Sequence, residues 1–188
     1  MKLIKLGLAT LLATGVLYAG TFNIDKSHSN VGFKVKHLMI SNVSGNFNAF
    51  TGTVNYDEKT KTLESISGKV EVSSINTENE KRDAHLKADD FFAADKYPYI
   101  TFESTEIKGD EVIGKFTLRG VTKEVKFELE NNGTIVDQRG NTKVGLSLHG
   151  KINRKDYGVM YNKVLEAGGV AVGDTVKLTI DLEAVLKK

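Results

Sequence analysis

Apolar and polar residues alternate along most of the chain after residue 20. Every second position is apolar at Val144, Leu146 and Leu148, and Ile152 follows in the same phase, with polar or small residues between them. Successive side chains of a strand point to opposite faces, so this period predicts β-strands with one apolar and one wet face. The same alternation covers residues 31–37, 66–72, 112–118, 125–129 and 176–184, and shorter strands are predicted near 21–25, 48–56, 100–107 and 133–136.

Short polar and glycine-containing segments separate these strands. Predicted turns lie at 57–59, 108–110, 119–120, 131–133 and 139–141, and the chain has a single proline, Pro98. Amphipathic antiparallel strands have to bury their apolar faces, and closing the sheet into a barrel does this while removing its edges. The pattern therefore predicts an all-β fold, an antiparallel β-barrel, with a two-sheet sandwich as the structural alternative.

Two segments interrupt the alternation. Residues 79–90 predict a short helix, with Phe91 and Phe92 directly behind it. Residues 153–173 form a long, glycine-rich connection, and connections of that length often act as lids or binding loops. We expect both at one end of the barrel. No repeat or linker divides residues 20–188, which are predicted to form one domain.

The first 19 residues have the features of a secretory signal peptide. Lys2 and Lys5 precede an uncharged, mostly apolar run from residue 6 to 17, and Ala19 stands before Gly20. The run is short for a bilayer-spanning helix, which needs ~20 apolar residues. We predict cleavage after Ala19 and export to the periplasm, without stable membrane insertion afterwards. A retained N-terminal anchor is the alternative.

Composition excludes several classes of function. Lys2 and Lys5 are the only charged residues of the predicted signal peptide, and without them basic and acidic residues are equal in number. A neutral chain without a basic stripe argues against nucleic acid as a partner. The absence of cysteine removes thiolate metal sites and cysteine nucleophiles. No Gly-x-Ser-x-Gly elbow or phosphate-binding glycine loop is present, so we expect neither an enzyme nor a cofactor.

Three glycines raise the question of whether the barrel is full or hollow. Gly68, Gly114 and Gly150 fall in phase with the apolar residues of their strands. A barrel of about eight strands can be filled by side chains or can hold one small ligand. Inward glycines favour a cavity, but they also allow strands to bend sharply at barrel corners. A cavity lined by Val, Phe, Leu and Met would suit an apolar ligand.

Seven ordered motifs resemble the YceI-like family of bacterial polyisoprenoid-binding proteins over residues 21–186. They are Asp25–Ser29 with Phe33 and His37, Ser44–Phe47, Ser74–Thr77, Arg82–Leu86, Phe91–Phe92 with Tyr97–Phe102, Leu118–Lys123 and Ile152–Gly158. The resemblance implies an extended lipocalin-like barrel in the periplasm, often a homodimer. It implies an amphiphilic ligand with a long isoprenoid or acyl tail in the lumen. Lys87 and Tyr157 depart from the usual family residues, and Lys87 leaves the head-group preference open.

Strand phase and this resemblance together select candidate ligand contacts. The predicted apolar lumen residues are Phe33, Val35, Val70, Val72, Phe91, Phe92, Phe102, Phe116, Leu118, Leu146, Leu148, Met160, Leu178 and Ile180. The candidates for polar head-group contacts are His37, Arg82, Asp83, His85, Arg119 and Arg154. The arginines could instead be tied to backbone carbonyls or neighbouring carboxylates. The four histidines have no recognised metal spacing, so no metal site is predicted.

The sequence thus predicts a periplasmic carrier or scavenger of a long-chain isoprenoid, such as a polyprenyl phosphate or an isoprenoid quinone, or of a similar lipid. The alternative is a non-catalytic stress-response or interaction protein that uses the barrel as a scaffold. One further motif, Asn132-Gly133-Thr134 with Glu130 two positions before it, matches an extended N-glycosylation pattern and leaves modification of Asn132 an open question.

Overall fold

β-Strands dominate the computed structural model, which describes residues 19–164 and 170–187. The strands are β1 (Gly20–Ile24), β2 (Asn30–His37), β3 (Ser41–Phe47), β4 (Phe50–Asp57), β5 (Thr62–Glu71), β6 (Ile75–Asn76), β7 (Tyr99–Lys108), β8 (Glu111–Leu118), β9 (Val121–Val136), β10 (Thr142–Asn153) and β11 (Val172–Leu186). Helix α1 spans Glu80–Lys87, and short 3-10 helices lie at Lys26–His28, Val72–Ser74 and Arg154–Tyr157. Apart from Ala19, the predicted signal peptide lies outside the described residues.

The sheet closes on itself as an antiparallel barrel. Its order is β1-β4-β5-β7-β8-β9-β10-β11, and β1 pairs with β11 to complete the circle of eight strands. Closure confirms the predicted barrel and excludes the sandwich. Each internal strand satisfies its backbone groups with two neighbours, so the barrel has no long exposed edge.

β11 is long enough to carry a second set of strands. Its last residues pair with β1, whereas Val172 to Asp181 pair with β2 along the same edge. β2 then pairs with β3, and β3 with β6, which continues from β5 through the 3-10 helix Val72–Ser74. The wall is therefore extended at one end, which also carries α1 and the segment after β10. We call this the upper end.

The lower end of the barrel is packed solid. Phe22, Tyr56, Phe127, Leu146 and Leu148 are at most 1% exposed and belong to one cluster of buried side chains. Fully burying such a side chain contributes ~1.5–3 kcal/mol. A second cluster of buried side chains, which includes Phe47, Phe116 and Tyr157, lies at the upper end. The lower cluster therefore closes the bottom of the barrel beneath the upper one.

One local prediction was wrong and one strand was missed. The predicted turn at 131–133 is instead part of β9, which continues to Val136 with an irregularity opposite Gly145 and Leu146 and a positive φ of 82° at Gly133. Pairing with the long strand β10 overrides the local turn residues. Strand β3 was not predicted, because its small polar residues do not alternate clearly.

The predicted helix and the hairpin turn at 119–120 are present. α1 begins after Asn79, whose side chain accepts a hydrogen bond from the Arg82 backbone N–H, and it ends at Lys87. Arg119 and Gly120 both have positive φ, as a tight two-residue hairpin turn requires. No helix among the described residues has the length and hydrophobicity needed to cross a bilayer.

Candidate ligand cavity

The barrel encloses two neighbouring apolar chambers. The lower chamber has a volume of about 90 Å³ and the upper about 260 Å³. Phe47, Ile100, Phe116 and Leu178 line both chambers and so mark where the chambers adjoin. Apolar walls therefore extend from the upper end of the barrel down to the packed lower cluster.

Most of the predicted apolar residues line one or both chambers. Those lining the upper chamber are Phe33, Val35, Phe91, Phe92, Phe116, Leu118 and Leu178. Those lining the lower chamber are Val70, Phe102, Phe116, Leu148, Leu178 and Ile180. Strand alternation places these residues inward, except for Phe91 and Phe92, which follow α1 outside any strand. Together the residues come from seven separate segments.

Three predicted lumen residues lie elsewhere. Val72 and Leu146 are each 1% exposed and belong to the packed clusters, not to the chamber walls. Met160 is 61% exposed and lines neither chamber. Its neighbour Val159, 3% exposed, faces the upper chamber instead. The segment after β10 is extended there, so adjacent side chains point to opposite sides.

The chambers include residues that the sequence analysis missed. Ile100 stands two positions before Phe102 on β7, so strand phase could have identified it. Val31, two positions before Phe33, is a similar case. Tyr161 lines the upper chamber from an irregular segment, where no periodicity gave a signal.

The three inward glycines have different environments. A Cβ at Gly68 would have only the Thr51 carbonyl oxygen near it, 3.8 Å away, so this glycine leaves open space in the lower chamber. At Gly114 the Cβ position lies 2.5 Å from the Phe102 ring, and at Gly150 it lies 2.6 Å from the Phe127 ring. Gly68 thus contributes to the cavity, whereas the other two let phenylalanine rings lie against the backbone.

Arg82, Asp83 and Thr77 form a hydrogen-bonded group at the start of α1. Arg82 donates from Nε to Thr77 Oγ1 and from Nη2 to the Thr77 carbonyl, each at 2.7 Å. Asp83 Oδ1 accepts from the Thr77 backbone N–H and hydroxyl at 2.9 and 2.5 Å. Arg82 also lines the upper chamber, but Asp83 does not. Asp83 therefore fixes the loop that positions Arg82.

Two histidines lie on the wall of the upper chamber. His37 ends β2 there, and His85 projects from α1. His85 Nε2 is 2.7 Å from Asp90 Oδ2, and its ring contacts those of Phe91 and Tyr161 edge-on. With Arg82, these side chains put polar groups at one end of an otherwise apolar cavity.

Arg119 and Arg154 are held mainly by backbone carbonyls. Arg119 donates to the carbonyls of Gly158 and Asp89 and does not line either chamber. Arg154 lines the upper chamber, but it is 4% exposed and donates to the carbonyls of Gly173, Val159 and Val172. Burial lowers the pKa of Arg154, an effect that Asp174 opposes. Both arginines tie the segment after β10 to the barrel.

The predicted lid-like loop is partly structured. The 3-10 helix Arg154–Tyr157 begins it, Val164 pairs with Val170, and Asn162 exchanges two hydrogen bonds with Val172. Residues 165–169 lie outside the described residues. The described part runs over the upper chamber and supplies Val159 and Tyr161 to its wall.

At the opposite end, Asp25, His28 and Glu183 have side-chain oxygen or nitrogen atoms within 4.8 Å of one another. His28 Nδ1 is 2.9 Å from Asp25 Oδ2, and Lys143 Nζ is 2.7 Å from Glu183 Oε1. These contacts use the polar atoms of the three side chains and join β11 to its neighbours, which gives the Asp25–Ser29 motif a structural role.

A family model described as a YceI-like domain matches residues 22–184. The chain belongs to the YceI-like family. This membership confirms the resemblance read from the seven motifs. A UPF0312 protein of Staphylococcus aureus strain N315 is 39% identical to the chain over 163 residues, which are 86% of this chain and 95% of that protein.

Several solved structures share the barrel. The Campylobacter jejuni YceI protein is 36% identical, with a TM-score of 0.70 over 88% of this chain and 97% of that chain. Burkholderia cenocepacia BcnA gives 0.67 at 22% identity, covering 85% and 98%. A polyisoprenoid binding domain from Saccharophagus degradans gives 0.67 at 14% identity, covering 90% and 100%. The last two likenesses concern the fold alone.

Proposed function

We propose that this YceI-like protein binds a long-chain isoprenoid, such as a polyprenyl phosphate or an isoprenoid quinone, or a similar amphiphilic lipid, and carries it through the periplasm. The observation that supports this is the pair of neighbouring apolar chambers that share four wall residues, with polar side chains at the upper end. The binding named for the Saccharophagus degradans domain, which has the same fold, supports the same ligand class.

The chemistry of the cavity favours a long apolar tail. Each buried methylene contributes ~0.8 kcal/mol, so a tail of many carbons gains strongly from leaving water. Phe47, Phe102, Phe116 and other apolar side chains form the walls, and Gly68 keeps the lower chamber open. A preformed cavity also reduces the ordering that a flexible tail must undergo after it enters.

The head group belongs at the upper end. Arg82 offers a guanidinium there whose orientation Thr77 already fixes, and His37 and His85 lie on the same wall. An anionic head can take charge-assisted hydrogen bonds from such donors, and a quinone can accept neutral ones. Arg154 is a weaker candidate for head-group binding, because its donors are used by carbonyls.

Native mass spectrometry of the purified protein, followed by lipid extraction, tests this proposal. We expect a co-purifying lipid of several hundred daltons. Gly68→Leu should fill part of the lower chamber and shift binding toward shorter chains, because the open space at Gly68 is where the added side chain would lie. Glu64→Leu, on the exposed face of the same strand, is the matched control and should leave the chain-length preference unchanged.

Two results would contradict the proposal. One is the absence of both a co-purified lipid and any uptake of polyprenyl phosphate, isoprenoid quinone or long-chain acyl probes. The other is a Gly68→Leu protein that binds every chain length as the wild type does. N-terminal sequencing of the exported protein tests the periplasmic location, with Gly20 as the expected first residue, and light scattering tests the expected homodimer.

A further inference from the structure

The turn between β2 and β3 exposes three consecutive large apolar residues. Leu38, Met39 and Ile40 are 38%, 53% and 84% exposed. Val164, on the segment after β10, is 86% exposed. Single exposed apolar residues are ordinary on a protein surface, but contiguous patches often mark an interaction site. We call these four residues the apolar rim.

The rim adjoins the upper chamber. The Leu38 backbone N–H donates to the Ala171 carbonyl, and the Ala171 N–H donates to the Lys163 carbonyl, so one segment, at Ala171, lies between the turn and Val164. His37, directly before the turn, lines the upper chamber and pairs with Val172. The apolar surface therefore continues the wall of the cavity outward.

The backbone of this turn makes the apolar residues unexpected. Leu38 and Met39 have positive φ of 50° and 63°, and the Ile40 N–H donates to the His37 carbonyl, which closes a β-turn with Leu38 and Met39 at its two central positions. Asn-Gly is the preferred sequence for such a turn, because bulky residues are strained at positive φ. A strained turn that also exposes its side chains to water favours a functional reason for the sequence.

Lysines flank the rim, and Asp174, next to Gly173 beside Lys36, is paired with Lys155. No acidic residue occurs between Asp25 and Asp57, whereas Lys34 and Lys36 of β2 are exposed. Lys163, next to Val164, is also exposed, and Glu166 lies outside the described residues. Apolar side chains flanked by lysines suit the surface of a bilayer that contains anionic lipids.

We propose that the apolar rim docks this protein reversibly on an anionic lipid bilayer, so that its ligand passes between the bilayer and the upper chamber. Leu38, Met39, Ile40 and Val164 enter the interface, and the neighbouring lysines meet the lipid head groups. The role in transfer rests on the proposed function, but docking itself can be measured without any bound ligand.

Vesicle flotation is the direct test. The vesicles contain phosphatidylethanolamine and phosphatidylglycerol, and every protein carries the same processed N terminus, verified by mass. The triple variant Leu38→Asn, Met39→Gly, Ile40→Thr removes the exposed side chains and installs the preferred turn sequence, so it should fold at least as well as the wild type. We expect its vesicle binding to fall by about tenfold or more.

The matched control is Ile135→Thr with Val136→Thr. These residues are 68% and 63% exposed at the lower end of the barrel, and their loss should leave vesicle binding unchanged. Wild-type binding should also weaken when salt is raised or phosphatidylglycerol is omitted. Failure of the wild-type protein to float, or equal flotation of the wild type and the triple variant, would overturn docking. So would a rim-dependent dimer in light scattering with unchanged flotation, which would show a second copy as the occupant.

Probe transfer separates this inference from the proposed function. A fluorescent polyprenyl phosphate delivered from detergent should bind the wild type and the triple variant equally, whereas transfer from vesicles should be at least about tenfold slower for the variant. No probe binding, with rim-dependent flotation, would refute the carrier function and leave docking supported. Probe binding with equal transfer rates for the two proteins would support ligand binding in the barrel and refute transfer through the apolar rim.

Discussion

The rings of His85 and Tyr161 meet edge-on, with centroids 5.0 Å apart and planes at 86°. His85 belongs to α1, and Tyr161 to the segment that follows β10. The Phe91 ring completes the group, with its centroid 4.9 Å from that of His85 and 4.7 Å from that of Tyr161. All three line the upper chamber, so this aromatic group closes the cavity between the helix and the segment opposite it.

Removing the Tyr161 ring should therefore speed ligand release. An aromatic pair contributes ~0.5–1.5 kcal/mol beyond the area it buries, so Tyr161→Ala should raise the dissociation rate of a bound polyprenyl probe by roughly 2- to 10-fold. Tyr161→Phe keeps the ring and should release the probe at the wild-type rate. Stopped-flow fluorescence gives the rates, and equal rates for the alanine variant and wild type would refute a closing role.

Gly114 and Gly68 should respond differently to the same substitution. Gly114→Ala places a methyl group against Phe102 and the Glu103 carbonyl and should lower the free energy of unfolding by about 1–3 kcal/mol. Gly68→Ala has open space and should change stability much less. Urea unfolding of both variants measures this. A Gly114→Ala protein as stable as Gly68→Ala would show that Phe102 can move aside.

These glycines illustrate what could be predicted from the sequence. Alternation placed both Gly68 and Gly114 on the inner face, and the same periodicity located most of the cavity wall. Whether a glycine opens a cavity depends on the neighbouring strands: β7 brings Phe102 over Gly114, while nothing fills the space at Gly68. Such cross-strand relationships depend on register, which the sequence did not reveal.

The roles of the polar candidate residues also depend on contacts that the sequence does not reveal. Arg82 and Arg154 both line the upper chamber, but their partners differ. One contact of Arg154 is with Val159 in the irregular segment that follows it, and the others are with the first three residues of β11, up to 20 positions later. No period in the sequence indicates such contacts, so a head-group arginine and a structural arginine look alike before the structure is known.

Protonation of the Asp57 carboxylate should account for part of the stability that the protein loses in acid. The backbone N–H groups of Thr60 and Lys59 donate to its carboxylate and lower the pKa of Asp57 below its usual value. A lowered folded-state pKa gives stabilisation that is present above the unfolded-state pKa and is lost as pH falls through the folded-state value. Asp57→Asn keeps an oxygen acceptor but cannot titrate, so its melting temperature should fall less between about pH 7 and pH 3.

Glu58→Gln is the control for that experiment. Glu58 is the exposed neighbour of Asp57, and within the described residues its side chain makes no hydrogen bond. The pH dependence of its melting temperature should follow that of the wild type more closely than Asp57→Asn does. Identical acid sensitivity in the wild type and Asp57→Asn would contradict the assigned role of the Asp57 turn.

Arg154 should prove to be a structural residue that holds the segment after β10. Its guanidinium is 4% exposed and donates to the carbonyls of Val159, Val172 and Gly173. A lysine lacks the planar fork that reaches these acceptors from one position, and a buried acceptor left without a donor costs ~1–3 kcal/mol. Arg154→Lys should therefore lower the free energy of unfolding by about 2–4 kcal/mol in urea titrations.

Exposed Arg139, in the turn between β9 and β10, gives the matched control, and Arg139→Lys should leave stability unchanged. The same two variants distinguish a structural role from head-group binding. If Arg154 mainly holds the segment, Arg154→Lys loses stability in the delipidated protein as well as in the loaded one, because the three carbonyls lose their donors in both. A variant as stable as the wild type without lipid, but weaker in binding a polyprenyl phosphate, would instead assign Arg154 to the head group.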